Sequence, residues 1–254
     1  MRPFLHLFGR EIPVYSTLGI FGLVLAVFVA GFRAKRYGVS RSDLVYAGTF
    51  AGIGLFLGGR LLFILTQIPL LWQYREFLMG NPEALLGIFA GGGMVFYGGL
   101  FGALGTLYFY CRLMRMPFDR IIALAVPVIP LAHAVMRVGC FMAGCCYGIP
   151  VPASWWGGVA DSTFILNVQL FEAFGNLLLF CGLWWYTRKD RDWVTTLCLY
   201  GISYGVMRFF LEFLRGDVAR GFAFGLSTSQ WISLGVVGLC VGHLLYRRLY
   251  WQPQ

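Results

Sequence analysis

Charge is the scarcest resource in this 254-residue chain: Asp, Glu, Lys and Arg together make up 12% of it, and only three residues are histidine. With 59% hydrophobic residues and a mean hydropathy of +0.72, the composition excludes a water-soluble domain. The solvent is lipid. A small-residue cleavage site after a short apolar core is also missing from Met1–Arg10, so no removable signal peptide is expected and the first helix is expected to be retained. The net charge of +9 would suit nucleic acid, but its placement between apolar runs points to lipid headgroups instead, and no nucleic-acid partner is expected.

What is abundant is apolar sequence in spans of membrane-crossing length. Runs at Tyr15 to Phe32, Leu44 to Leu71, Ile88 to Cys111, Ile121 to Phe141, Leu166 to Tyr186, Thr195 to Leu214 and Ser229 to Tyr246 predict an all-α, polytopic bundle of about seven transmembrane helices, forming a single domain over residues 1–254. Twelve basic residues fall on one side of these spans: Arg33, Lys35, Arg36, Arg41, Arg112, Arg115, Arg120, Arg188, Lys189, Arg191, Arg247 and Arg248. Five fall on the other, at Arg2, Arg10, Arg75, Arg215 and Arg220. The bias predicts an outside N-terminus and a cytoplasmic C-terminus.

Arg60, Arg137 and Arg208 remain, within or at the outer ends of spans, with Glu212 one turn after Arg208. An Arg in hydrocarbon costs roughly 3 kcal/mol or more, so each is expected to face the bundle interior and have a partner. An Arg208–Glu212 pair at i, i+4 is the plain structural reading. One Glu cannot balance three Arg, and the surplus points to an external anion, most simply a lipid phosphate held by bidentate guanidinium.

Three segments carry candidate chemistry. The stretch from Gly91 to Gly102 holds six glycines in twelve residues. Its later glycines suit close helix packing, whereas the amides before Tyr97 suit a loop facing an anion or carbonyl, with the Tyr97 phenol as donor or general acid/base. The run Arg137 to Gly148 sets Cys140, Cys145 and Cys146 beside an Arg that favours thiolate, which leaves nucleophile, redox pair, metal ligands or a structural disulfide open. Zinc is disfavoured because no His or fourth Cys lies nearby at the usual spacing, and no metal is expected. Cys111, Cys181, Cys198 and Cys240 lie in or at the ends of apolar runs and read as small hydrophobes. His133, four residues before Arg137, is either a satisfied bundle residue or a proton carrier. In the third segment Gln169, Glu172 and Asn176 share one helix face, with Glu172 either a salt-bridge partner or a base.

Taken in order, Leu57-Gly58-Gly59-Arg60, Gly92-Gly93-Met94-Val95-Phe96-Tyr97-Gly98-Gly99, Arg137-Val138-Gly139, Gln169-Leu170-Phe171-Glu172 and Arg208-Phe209-Phe210-Leu211-Glu212-Phe213 resemble the prolipoprotein diacylglyceryl transferase family over nearly the whole chain. The resemblance implies a seven-helix inner-membrane enzyme that moves diacylglyceryl from phosphatidylglycerol to the lipobox cysteine of a preprolipoprotein, without a cofactor. It further implies that Arg137 and Arg208 bind the phosphate leaving group and that Glu212 orients Arg208. Arg60, Gly98, Gly99, Cys140, His133, Gln169 and Glu172 are then expected around the substrate, and Tyr97, Cys145 and Cys146 among the reacting groups.

The chain departs from the family pattern at three places. Tyr97-Gly98-Gly99 stands where the family has His-Gly-Gly, and a phenol is a poor base near neutral pH. Cys140 and Gly144-Cys145-Cys146 stand where the family has an Asn and then Gly-Glu. The loop from Ile149 to Ile165 is short, which makes a smaller thiol acceptor conceivable. Two rival functions are an extracytoplasmic thiol redox protein using these three cysteines and a non-catalytic lipid-binding protein.

Overall fold

A computed structural model describes residues 4–7, 10–84, 87, 93–152, 163–216 and 221–250. The chain divides into two compact units, residues 1–33 with 122–254, and residues 34–121. A short hairpin, β1 (Phe4–Leu7) and β2 (Arg10–Pro13), leads into α1 (Val14–Ala34). Among the described residues, six helices are long and apolar enough to cross a membrane: Val14–Tyr37, Arg41–Gln73, Phe118–Ala143, Val168–Tyr186, Trp193–Leu214 and Thr228–Tyr250. They match six of the seven expected spans. The counterpart of the remaining one, Ile88 to Cys111, is a helix over Phe96–Leu113, less apolar because of four glycines, three tyrosines, Thr106 and Arg112. The rest of that span, from Ile88 through Gly92, lies outside the described residues.

In the unit of residues 34–121, α2 (Arg41–Gln73) begins at Ser40, whose hydroxyl accepts from the Asp43 amide at 3.0 Å, the usual way an orphan helix N–H is satisfied. A short α3 (Arg75–Gly80) follows, and then α4 (Phe96–Leu113) packs along α2. Glycine makes this seam. A Cβ on Gly98 would collide with the Gly58 carbonyl, and one on Gly102 with the Gly54 carbonyl, so the two backbones touch as in other small-xxx-small pairs. Thr106 Oγ1 adds a cross-helix bond to Phe50 O at 2.9 Å, and Phe50 stacks on Tyr110 at 4.7 Å.

The chain leaves this unit within α5 (Phe118–Ala125), which passes through a short 3-10 turn at Val126–Val128 into α6 (Ile129–Ala143) of the other. Pro127 and Pro130 sit where a helix start needs no N–H. Then come β3 (Pro150–Pro152) and β4 (Thr163–Ile165), paired antiparallel, α7 (Val168–Tyr186), α8 (Trp193–Leu211) with a 3-10 turn over Glu212–Leu214, the small pair β5 (Phe222–Ala223) and β6 (Leu226–Ser227), and α9 (Thr228–Tyr250). α6 packs on α7, α7 on α8 and α8 on α9.

The distribution of polarity inverts that of a soluble protein. Phe28, Phe32, Phe174, Phe210 and Leu239 are more than half exposed, while Gln169, Glu172, Asn176, Arg208 and Glu212 are buried. Apolar faces meet lipid and polar groups meet one another, as hydrocarbon requires.

Candidate functional site

The buried polar groups converge where α6, α7 and α8 meet. Arg137 lies on α6, one turn after His133 and one turn before Cys140. Gln169, Glu172 and Asn176 recur along one face of α7, each at most 2% exposed. Glu172 is the hub: its Oε1 accepts from Arg137 Nη2 at 2.9 Å and from the Tyr204 hydroxyl of α8 at 3.0 Å, and lies 3.8 Å from His133 Nε2. Asn176 Nδ2 donates to the Glu172 carbonyl at 2.8 Å.

A second pair lies one turn further along α8. Arg208 Nη2 contacts Glu212 Oε2 at 2.6 Å and donates to Ser229 Oγ of α9 at 3.3 Å, with Arg208 7% and Glu212 4% exposed. The helical spacing predicts this pair, and it forms. Both guanidinium groups act electrostatically on Glu172.

Among the described residues, the two buried arginines of this unit are each matched by a glutamate. Arg137 pairs with Glu172 and Arg208 with Glu212. Arg60 belongs to the other unit, where its Nη1 donates to Gly93 O at 3.1 Å and its guanidinium sits 5.8 Å from the Phe63 ring. The need for an acceptor comes from geometry instead. Among the described residues, neither Arg137 Nε nor Arg208 Nη1, both buried, has a hydrogen-bond partner. A buried orphan donor costs about 1–3 kcal/mol, more when charged, and an anion with several oxygens satisfies such donors directly.

The cysteine segment closes the end of α6. Gly144 at φ 76° ends the helix in the left-handed conformation that glycine adopts without cost, and Cys145 N donates to Cys140 O at 3.1 Å. Gln169 Nε2 of α7 holds the Cys145 carbonyl at 2.7 Å. The next residues are pinned by Gly148 N to Leu166 O at 2.9 Å and Ile149 N to Leu214 O at 2.9 Å, over a small core of Val151, Leu166 and Val168. All seven cysteines carry thiols. Of the loop thiols, the expected arginine neighbour reaches Cys140. Arg137 Nη1 reaches Cys140 Sγ at 3.9 Å, whereas the Cys145 thiol is held above its ordinary value by partial burial and then by the neighbouring Cys146.

Tyr97, Gly98 and Gly99 lie in the other unit, at the start of α4. Tyr97 is 41% exposed, and its ring meets Phe96 edge-on at 5.7 Å. Gly98 and Gly99, expected around substrate, pack closely on α2: a Cβ on Gly99 would stand 3.0 Å from Leu55 O. Their close neighbour is α2. Gly91 and Gly92 lie outside the described residues.

Sequence reasoning missed Tyr204 and Ser229. A tyrosine in an apolar span reads as an interfacial ring, and the available signal was its position four residues before Arg208 on the same helix face.

Comparison with known proteins places this arrangement in context. A family profile described as prolipoprotein diacylglyceryl transferase matches residues 3–246. The chain is 35% identical over 241 residues to a phosphatidylglycerol–prolipoprotein diacylglyceryl transferase of Clostridium tetani, covering 92% of this chain and 93% of that protein. It is 34% identical over 251 residues to phosphatidylglycerol–prolipoprotein diacylglyceryl transferase 2 of Clostridium perfringens, covering 95% and 92%. A homologue of the same description from Acinetobacter baumannii is 30% identical over 265 residues, covering 98% and 95%. Similarity of this extent, along a multi-helix chain built for lipid, makes the protein a member of the prolipoprotein diacylglyceryl transferase family.

Proposed function

We propose that the protein transfers the diacylglyceryl group of phosphatidylglycerol to the thiol of a lipobox-containing preprolipoprotein in the bacterial inner membrane. The observation that carries this reading is the pair of buried guanidinium groups, each held by its own glutamate and each with one buried nitrogen left without a partner. Two such donors suit a phosphate diester drawn in from the bilayer.

In the reaction the acceptor sulfur attacks the glycerol carbon that bears the phosphate. A C–S bond forms with the electron pair of the sulfur, the C–O bond to phosphate breaks with its pair going to the departing oxygen, and the thiol proton ends on the released glycerol phosphate or in solvent. Arg137 and Arg208 receive the charge that grows on the departing oxygen, which is electrostatic stabilisation by donors already in place. Glu212 holds Arg208, and Glu172 with Tyr204 holds Arg137. The basic loops place the Arg137 and Arg208 ends of their helices toward the outer face, the side on which an exported acceptor arrives.

The test is to incubate purified protein with phosphatidylglycerol and a lipobox peptide and follow both products by mass spectrometry. Peptide carrying diacylglyceryl on its cysteine, with glycerol phosphate released in equal amount, is the expected result. Release of glycerol phosphate without peptide modification would reject the acceptor, and no release at all would reject the reaction.

A further inference from the structure

We propose that Cys140, Cys145 and Cys146 form a three-sulfur binding site for a thiophilic d10 metal ion, monovalent copper, at the C-terminal end of α6. The three Sγ atoms lie within 4.8 Å of one another. An ion bound at roughly 2.3 Å to each sulfur needs them about 4 Å apart, so modest side-chain rotation closes the site. Sequence spacing argued against zinc for want of a fourth ligand. A three-coordinate soft ion has no such need, and thiolates select copper in this oxidation state.

The backbone is shaped to bring the sulfurs together. Gly144 turns the chain at φ 76°, and Cys146 itself stands at φ 59°, a left-handed conformation that L residues avoid unless the surroundings impose it. Cys145 Sγ reaches back to the Cys140 carbonyl at 3.6 Å. The turn is held from outside by Gln169 on the Cys145 carbonyl and by the amide of Gly148 on Leu166. Access and enclosure are graded, because Cys145 is exposed, Cys146 half-buried and Cys140 buried.

Binding exchanges three S–H protons for the ion: Cu(I) and three thiols give a tris-thiolate complex of charge −2 and three released protons. No electron transfer is involved. Arg137 Nη1, 3.9 Å from Cys140 Sγ, offsets part of that charge.

The experiment uses the full chain in detergent with Cys111, Cys181, Cys198 and Cys240 changed to Ala, so that only the three loop thiols remain. Cu(I) is added anaerobically against a chromogenic chelator, and the copper environment is read by X-ray absorption. One ion per chain with three sulfur neighbours is expected. Cys140→Ser should cut the affinity by about tenfold or more and leave two sulfurs. Because Cys140 is buried, Cys145→Ser at the exposed position and Cys146→Ser at the half-buried one provide the same readout with less risk to folding. A two-sulfur environment in the starting protein, or one that any of these variants leaves unchanged, overturns the proposal, as does failure to retain copper against the chelator.

Discussion

Replacing Arg208 by lysine separates holding the site together from acting on phosphate. In the structure Nη2 alone serves both protein partners, Glu212 at 2.6 Å and Ser229 at 3.3 Å, while Nη1 stays unpartnered and buried. Lysine brings one ammonium nitrogen on a flexible stem. It can keep the Glu212 pair but cannot also present a second, rigidly placed donor. The charge and the salt bridge survive, and one charge-assisted hydrogen bond to phosphate is lost. Such bonds contribute about 1.5–3 kcal/mol, which converts at 1.36 kcal/mol per decade to a fall of roughly 10- to 150-fold in kcat/KM. Thermal unfolding in detergent should move little, because no buried charge is left alone. The assay is the rate of glycerol phosphate release and peptide lipidation against lipid concentration. Wild-type kcat/KM in a folded Arg208→Lys protein would refute the role given to Nη1.

Glu172→Gln removes the carboxylate that neutralises Arg137 and accepts from Tyr204, and breaking a buried pair from one side should cost about 3–5 kcal/mol, read as lower thermal stability and expression. Tyr204→Phe leaves Arg137 on Glu172, so only one hydrogen bond to a charged group is lost; a stability loss of about 1.5–3 kcal/mol is expected, and one as large as that of Glu172→Gln would contradict the hub. Gly98→Val places branched carbon against the Gly58 carbonyl, and the overpacking should cost about 1–3 kcal/mol or more, measured by the yield of folded protein. Asp192 caps α8 by accepting from the Thr195 amide and hydroxyl at 2.9 Å and from Arg247; burial raises its carboxyl pKa, but these donors outweigh it and hold the group below its ordinary value. Its contribution is therefore complete above the unfolded value near 3.9 and is lost as pH falls through the lower folded one. Asp192→Ala should cost about 1 kcal/mol at neutral pH and flatten the acid side of the stability profile.

The spans were legible because apolar length is a strong signal in a membrane protein, and six of them reappear with ends shifted by a few residues. The Arg208–Glu212 pair was legible for the same kind of reason, since both partners lie on one helix four residues apart. The Arg137–Glu172 pair was not, because it joins α6 to α7 and no periodicity reports which helices become neighbours. Charge arithmetic over the whole chain misled for the same cause: Arg60 was counted with two arginines that pair within a different unit. The glycine-rich segment announced a close approach, but helix packing and ligand binding call for the same residue, and only the position of Gly58 and Gly54 opposite Gly98 and Gly102 distinguishes them. Tyr204 could not be told from an ordinary interfacial ring until Glu172 was seen beside it.

The neutrality of the four-charge cluster bears on how the proposed reaction gains speed. A site with two uncompensated guanidinium groups would be costly to bury in hydrocarbon and would bind any anionic lipid tightly before reaction. Tight binding of the starting lipid does not speed the chemical step, because only interactions stronger in the transition state lower the barrier. Phosphatidylglycerol arrives as a diester with one negative charge, and glycerol phosphate departs as a monoester whose bridging oxygen has gained a second. In the proposed reaction, with each arginine already offset by a glutamate, the two spare guanidinium nitrogens would hold the diester modestly and gain most as that oxygen takes up charge. In the proposed reaction Glu172 would serve as an anchor and not as the base for the thiol. Its Oε1 already accepts from Arg137 and Tyr204, and it is 2% exposed, so protonating it would free both of its partners at once. The same economy explains why both arginines are guanidinium: a planar fork can give one nitrogen to a carboxylate and keep another aimed elsewhere, which a single ammonium cannot do.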